Sequence, residues 1–275
     1  MKLAIRGHDL GKKGEFDLAL CLKKYGFDGV QLVPYKTFSD VPYTPEISLE
    51  KAQEISNSLT ENHLSVFLLG AYFNPVHSNK DKVKLCIDVF KRYLQLANTF
   101  KAPLVGSETG SFNDDKWTYH PQNRTDGALK TVIETFSALA DYAKANNTAI
   151  AMEGAAGHVC YSPDRLYEAL RAINDDKIKV IFDIYNYLDN DNYGDYKQIL
   201  KHGLDLFEGK IHCFHMKDCR IEGGKLTQCP IGEGMLDYDF ILSTIKSYNP
   251  DAVLVLEGTV EPNIQRAVEI ITKTW

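Results

Sequence analysis

Short apolar runs alternate along the chain with longer stretches whose apolar residues recur at helical spacing. Read as strands, the short runs are Leu3–Arg6, Gly29–Pro34, Leu64–Ala71, Pro103–Ser107, Thr148–Glu153, Lys177–Asp183, Lys210–His215 and Ala252–Glu257. The stretches Phe16–Tyr25, Leu49–Asn62, Lys80–Phe100, Gly127–Ala145, Pro163–Ile173, Tyr196–Gly203, Asp239–Tyr248 and Glu261–Lys273 predict helices. Ser162-Pro163 offers a cap followed by a proline at the first helical position, and Ser48 can cap another helix.

Strand–helix alternation of this kind implies parallel strands joined by crossover helices. Eight such units predict a single α/β domain over residues 1–275, a (β/α)8 TIM barrel. An open doubly wound sheet is the alternative, but no G-x-G-x-x-G follows the first strand. No Pro/Gly/Ser-rich linker or change of composition divides the chain.

In a barrel the strand C-termini form the active-site rim, so the residue that ends each strand carries information. Four successive apolar runs end in a metal-ligand type: AIAMEG at Glu153, KVIFDIYN at Asp183, IHCFHMKD at His215 and VLVLEG at Glu257. Each follows the last by about one βα unit. Ala151, Ile181, Cys213 and Val255 stand two residues earlier, on the same side of each strand. They are small or apolar, as a filled barrel interior requires. Three neighbouring buried carboxylates are costly without a compensating cation. The quartet therefore predicts one divalent metal ion. Its oxygen-rich character favours Mn²⁺, with Mg²⁺, Co²⁺ and Zn²⁺ as the other candidates.

Composition and charge narrow the partners. The chain is 44% hydrophobic with a net charge of −6, and its basic residues are scattered. That argues against nucleic acid, which is bound by a basic face. No apolar run approaches a membrane span of roughly 20 residues, so no membrane is expected. The first residues, MKLAIRGHDL, are broken by Arg6, His8 and Asp9, too early for a signal-peptide core. Six cysteines form no C-x-x-C pair and read as reduced thiols. A cytoplasmic protein is the expectation.

The segments GAYFNPVHS, LVGSETGS, AMEGAAGH, VIFDIYNYLD, FHMKD, PIGEGMLDY and LVLEG, in that order, resemble the sugar phosphate isomerase/epimerase superfamily of xylose isomerase-like barrels. The resemblance covers essentially the whole chain and includes ketose 3-epimerases and inosose dehydratases. It implies that Glu153, Asp183, His215 and Glu257 bind the metal and that Glu153 and Glu257 also move protons. It also makes a homo-oligomer an expectation. Two departures stand out: Asn186 occupies a place where the ketose 3-epimerases have histidine, and Gly157-His158 replaces a glutamate.

The implied chemistry is isomerisation or epimerisation of a sugar or sugar phosphate through an enediolate, with carboxylates as acid and base. His8, Glu108, His158, Asn186, Lys217 and Arg220 are the expected contacts to a small polyhydroxylated substrate. Asp218 is expected to orient a neighbour. Trp117, Tyr119 and His120 are expected in a wall or lid, and Pro230–Gly234 in a rim loop rather than a P-loop. A dehydratase of a keto-inositol or shikimate-like ring would share the first proton abstraction. An apurinic-site endonuclease would need more histidines than follow Asp183 and His215, and a non-enzymatic binding protein would have lost ligands.

Overall fold

The computed structural model describes residues Met1–Trp275. Eight parallel strands close into a barrel: β1 (Lys2–Arg6), β2 (Gly29–Leu32), β3 (Ser65–Gly70), β4 (Leu104–Glu108), β5 (Ala149–Glu153), β6 (Ile178–Asp183), β7 (Ile211–Met216) and, after an inserted hairpin, β10 (Val253–Leu256). The hairpin pairs β8 (Asp218–Glu222) with β9 (Lys225–Cys229) antiparallel. Closure comes from β1 against β10, with Lys2 opposite Val253 and Ile5 opposite Leu256.

The helices are α1 (Glu15–Lys24), α2 (Pro34–Thr37), α3 (Leu49–Glu61), α4 (Lys80–Phe100), α5 (Asp126–Ala145), α6 (Pro163–Ile173), α7 (Tyr196–Leu206), α8 (Tyr238–Tyr248) and α9 (Ile264–Thr274). Both expected caps form: Ser48 Oγ accepts from the Lys51 amide, and Ser162 Oγ accepts from Arg165 ahead of Pro163.

Strand parity separates two cores. Ala4, Leu68, Leu104, Ala151, Ile181, Cys213 and Val255 fill the barrel interior. Outward residues such as Ile5, Met152, Phe182 and Leu254 meet the helices through Leu22, Ile55, Phe90 and Phe136. Each fully buried side chain of this kind stabilises the fold by roughly 1.5–3 kcal/mol.

Two expectations change. Helical spacing ends the sixth unit's helix at Gly203, but α7 continues to Leu206. Gly203 lies against the Phe182 ring, where a Cβ would meet Cζ at 2.4 Å, so it marks close packing rather than a stop. The last helix begins at Ile264, three residues beyond its expected start at Glu261. No helix is long and apolar enough to cross a membrane.

Candidate metal centre

Glu153 ends β5, Asp183 ends β6, His215 lies one residue before the end of β7, and Glu257 follows β10. Parallel register sets Asp183 opposite His215 and Val255 opposite His215, so these ends share one level. Ligand-type atoms of all four residues lie within 4.8 Å of one another, and all four side chains are buried.

Glu153 Oε1 lies 3.1 Å and Glu257 Oε2 2.6 Å from Nδ1 of His215. On the ring's other side, Nε2 lies 2.7 Å from Oε1 of the fully buried Gln31. Gln31 in turn donates from Nε2 to the Tyr72 hydroxyl at 2.7 Å, which leaves its carbonyl facing the imidazole. Nε2 is thus the donor to Gln31, and Nδ1 is directed at the carboxylates.

Two cations share the cluster. Lys217 Nζ lies 2.9 Å from Asp183 Oδ2, 2.9 Å from Glu257 Oε1 and 3.0 Å from Asn186 Oδ1. Arg6 donates to Glu257 Oε1 at 2.6 Å and holds Asp9 with Nε and Nη2, both at 2.9 Å. Asn186 donates to Glu153 Oε1 at 2.8 Å, so its amide bridges Glu153 and Lys217.

These contacts set the ionisation. Burial would raise the Glu257 carboxyl, but Lys217, His215 and Arg6 hold it well below the usual carboxylate range. Burial raises Glu153 against the pull of His215, and raises Asp183 to about 6 against Lys217. Burial would lower His215, but Glu153 and Glu257 outweigh it and raise the ring to about 10.

A divalent cation fits this donor set. Three carboxylates and one imidazole converge. Asp183 Oδ2 and Glu257 Oε2 are buried and face Lys217 and His215 without a well-directed hydrogen bond, so their lone pairs stay open to a cation.

Above the quartet lies a polar cavity of about 250 Å³ lined by Arg6, His8, Lys36, Tyr72, Glu108, Trp117 and Glu257. Glu153 sits deeper, only 1% exposed. Glu108 is raised to about 7 by burial and by Glu257. His158 Nε2 stands 3.6 Å from Glu108 Oε2, and burial lowers its ring to about 4. Trp117 covers that imidazole edge-on at 5.5 Å.

The structure therefore brings His8, Glu108, His158, Asn186 and Lys217 to the quartet or its cavity, but not Arg220. That side chain is exposed on the hairpin, within 3.6 Å of Glu222 and 3.8 Å of Glu233. Strand alternation beyond His215 turns Lys217 inward and leaves Arg220 outside. Asp218 orients a loop instead of a site residue: its carboxylate accepts from the amides of Cys219, Gly232, Gly234 and Leu236. It thereby occupies the cradle of the Pro230–Gly234 turn. Of the expected aromatic wall only Trp117 lines this cavity. Tyr119 is 58% exposed, and His120 caps a short turn by accepting from the Gln122 amide. Arg6, Gln31, Lys36 and Tyr72 are site residues that the strand-end reading missed.

The family model described as xylose isomerase-like TIM barrel matches residues 21–274. The chain belongs to that family. Its barrel superposes on several solved structures of similar fold. A D-tagatose 3-epimerase-like protein is 17% identical with TM-score 0.78, over 100% of this chain and 97% of its own. An IolI protein holding a zinc atom is 19% identical with TM-score 0.75, over 100% and 96%. A 3-keto-D-glucoside 4-epimerase from E. coli is 16% identical with TM-score 0.73, over 100% and 98%. At such identities the likeness is one of fold. No curated protein matches this xylose isomerase-like chain.

Proposed function

We propose that this protein is a metal-dependent isomerase or epimerase of a sugar or sugar phosphate, with Glu153 and Glu257 as its acid–base pair. The observation that carries the reading is the convergence of these two carboxylates, from non-adjacent strands, on one imidazole nitrogen below a polar cavity. Epimerase relatives of the same fold support it.

The chemistry begins with a proton on carbon next to a carbonyl. Glu257 lines the cavity and is held ionised by Arg6 and Lys217, which suits it to take that proton. Glu153, raised by burial, suits the return of a proton to the opposite face or the neighbouring carbon. Glu153, Asp183, His215 and Glu257 would hold one divalent ion, Mn²⁺ in this reading. When bound, that ion supplies Lewis-acid stabilisation of negative charge developing on substrate oxygens. Lys217, Asn186, His8 and Glu108 offer hydrogen bonds to hydroxyls, and Trp117 shields the cavity from water.

A second reading, dehydration, is favoured by one feature. Glu108, raised to about 7 at the cavity wall, could protonate a departing hydroxyl.

Metal-supplemented protein incubated in D₂O with ketoses, ketose phosphates and keto-inositols tests both. Deuterium uptake with unchanged product skeleton supports isomerisation; loss of water selects the dehydratase. Glu153→Gln and Glu257→Gln should each lower turnover by about 10²–10⁴-fold while leaving the fold intact. Near-normal rates in both variants would sink the acid–base assignment.

A further inference from the structure

A second cavity of about 380 Å³ adjoins the polar one, and the two share Tyr72 and Trp117 as lining residues. Their walls differ in kind. The first presents Arg6, His8, Lys36, Glu108 and Glu257. The second presents the rings of Tyr35, Tyr43, Tyr72 and Trp117, with Phe73 buried behind them. Tyr35 and Tyr43 pack edge to face with centroids 4.6 Å apart.

The polar members of this annex are already engaged with the protein. Asn74 donates to the Ser111 and Asp114 carbonyls and accepts from the Val76 and Ser111 amides. His77 Nδ1 accepts from the Asn79 amide, and its Nε2 faces Asp115 at 3.3 Å. Lys82 pairs with the same Asp115. What remains to a ligand is aromatic faces and the two hydroxyls of Tyr35 and Tyr43. A second sugar ring here would find few partners for its hydroxyls beyond those two, whereas a flat aromatic ring would stack favourably.

The cavity over the metal centre, at about 250 Å³, is small for a whole ligand site, which typically measures roughly 300–1,000 Å³; the annex completes it. We propose that the substrate has two parts: a polyhydroxylated ring seated over the metal centre, and an aryl substituent received by the Tyr35–Tyr43–Trp117 annex. The proposal rests on the reading that the carbonyl chemistry takes place at that centre.

Phenyl and methyl β-D-glucopyranoside differ only in the substituent concerned. Calorimetry on the Mn²⁺-loaded protein should find the phenyl glucoside about tenfold tighter or more, and the methyl glucoside weak but measurable. Tyr43→Ala removes one aromatic wall. Val83→Trp, on the half-buried annex side of α4, fills the space instead. Each should bring phenyl affinity down to the methyl level and leave methyl affinity unchanged. Should Tyr43→Ala fail to fold, Val83→Trp alone decides. Equal affinities in the unaltered protein, no binding of either glucoside, or a phenyl preference surviving Val83→Trp overturns the proposal. Deuterium exchange into free ketoses is read on the same preparations. Its absence beside a retained phenyl preference would defeat the metal-centre chemistry and leave an aryl-binding annex; exchange without the preference would do the reverse.

Discussion

At the residue scale, the quartet was legible because acids and a histidine closing apolar runs are conspicuous. Its supports were not. Gln31 is a lone amide inside GVQLVP, and nothing local reveals that it lies opposite His215 across the barrel. Arg6 also ends a strand, but its pairing with Glu257 exists only because β1 closes against β10. Gln31→Leu removes the acceptor for His215 Nε2 and should weaken metal affinity about 10–100-fold, as loss of such supporting partners does. Calorimetric titration with Mn²⁺ checks this; unchanged affinity would mean the imidazole is fixed by other contacts.

The Glu108–His158 pair gives a pH signature with opposite signs. Glu108 rises from its ordinary 4.5 to about 7 on folding. The folded chain then holds more protons between these values, so this contribution to stability is full below 4.5 and lost as pH climbs through 7. His158 falls from its ordinary 6.5 to about 4. Its contribution is full above 6.5 and lost as pH falls through 4. Relative to the unaltered protein, Glu108→Gln should therefore gain stability from pH 4.5 to 7, and His158→Gln should lose it from pH 4 to 6.5. Denaturant melts of metal-free protein across that range read both slopes, and parallel curves would contradict the assigned burial effects.

At the element scale, periodicity located the eight barrel strands and the eight long helices, most of them to within a residue or two, because parallel strands buried on both faces read as unbroken apolar runs. The one-turn helix α2 and the β8–β9 hairpin escaped it. α2 is four residues long, too short to show a period, and its start at Pro34 reads equally well as a strand end. The hairpin's polar alternation after FHMKD resembles a loop. These two insertions matter for the site: α2 carries Tyr35 and Lys36, and the β8–β9 hairpin holds Arg220 away from it. The predicted range Tyr196–Gly203 falls three residues short of Leu206, and Gly203 itself is a contact point inside α7. Gly203→Ala places a methyl against Phe182 within α7 and should destabilise by about 1–3 kcal/mol, despite the better helix propensity of alanine. Urea unfolding measures it. A stabilised variant would show that the ring can move aside.

At the scale of the whole molecule, the barrel's upper end concentrates charge that its lower core could not bear. Glu153, Asp183 and Glu257 enter from three strand ends, and Arg6 and Lys217 balance them only in part. A divalent ion would tie β5, β6, β7 and the end of β10 together, and it would bind only the closed barrel, since unfolding scatters its ligands along the chain. Binding to the native state alone adds about 2.7 kcal/mol of stability at a hundredfold excess over Kd. For a chain of this size that is roughly 5–11 °C in Tm, taking about 2–4 °C per kcal/mol. Chelation with EDTA should lower Tm by that order, and Mn²⁺ should restore it. Glu257→Ala separates ion binding from generic salt effects. It removes one ligand and leaves Arg6 and Lys217 short of a partner, so its Tm should start lower and should no longer respond to Mn²⁺. An equal Mn²⁺ response in that variant would place the ion elsewhere on the molecule and remove the basis for assigning it to the strand-end quartet.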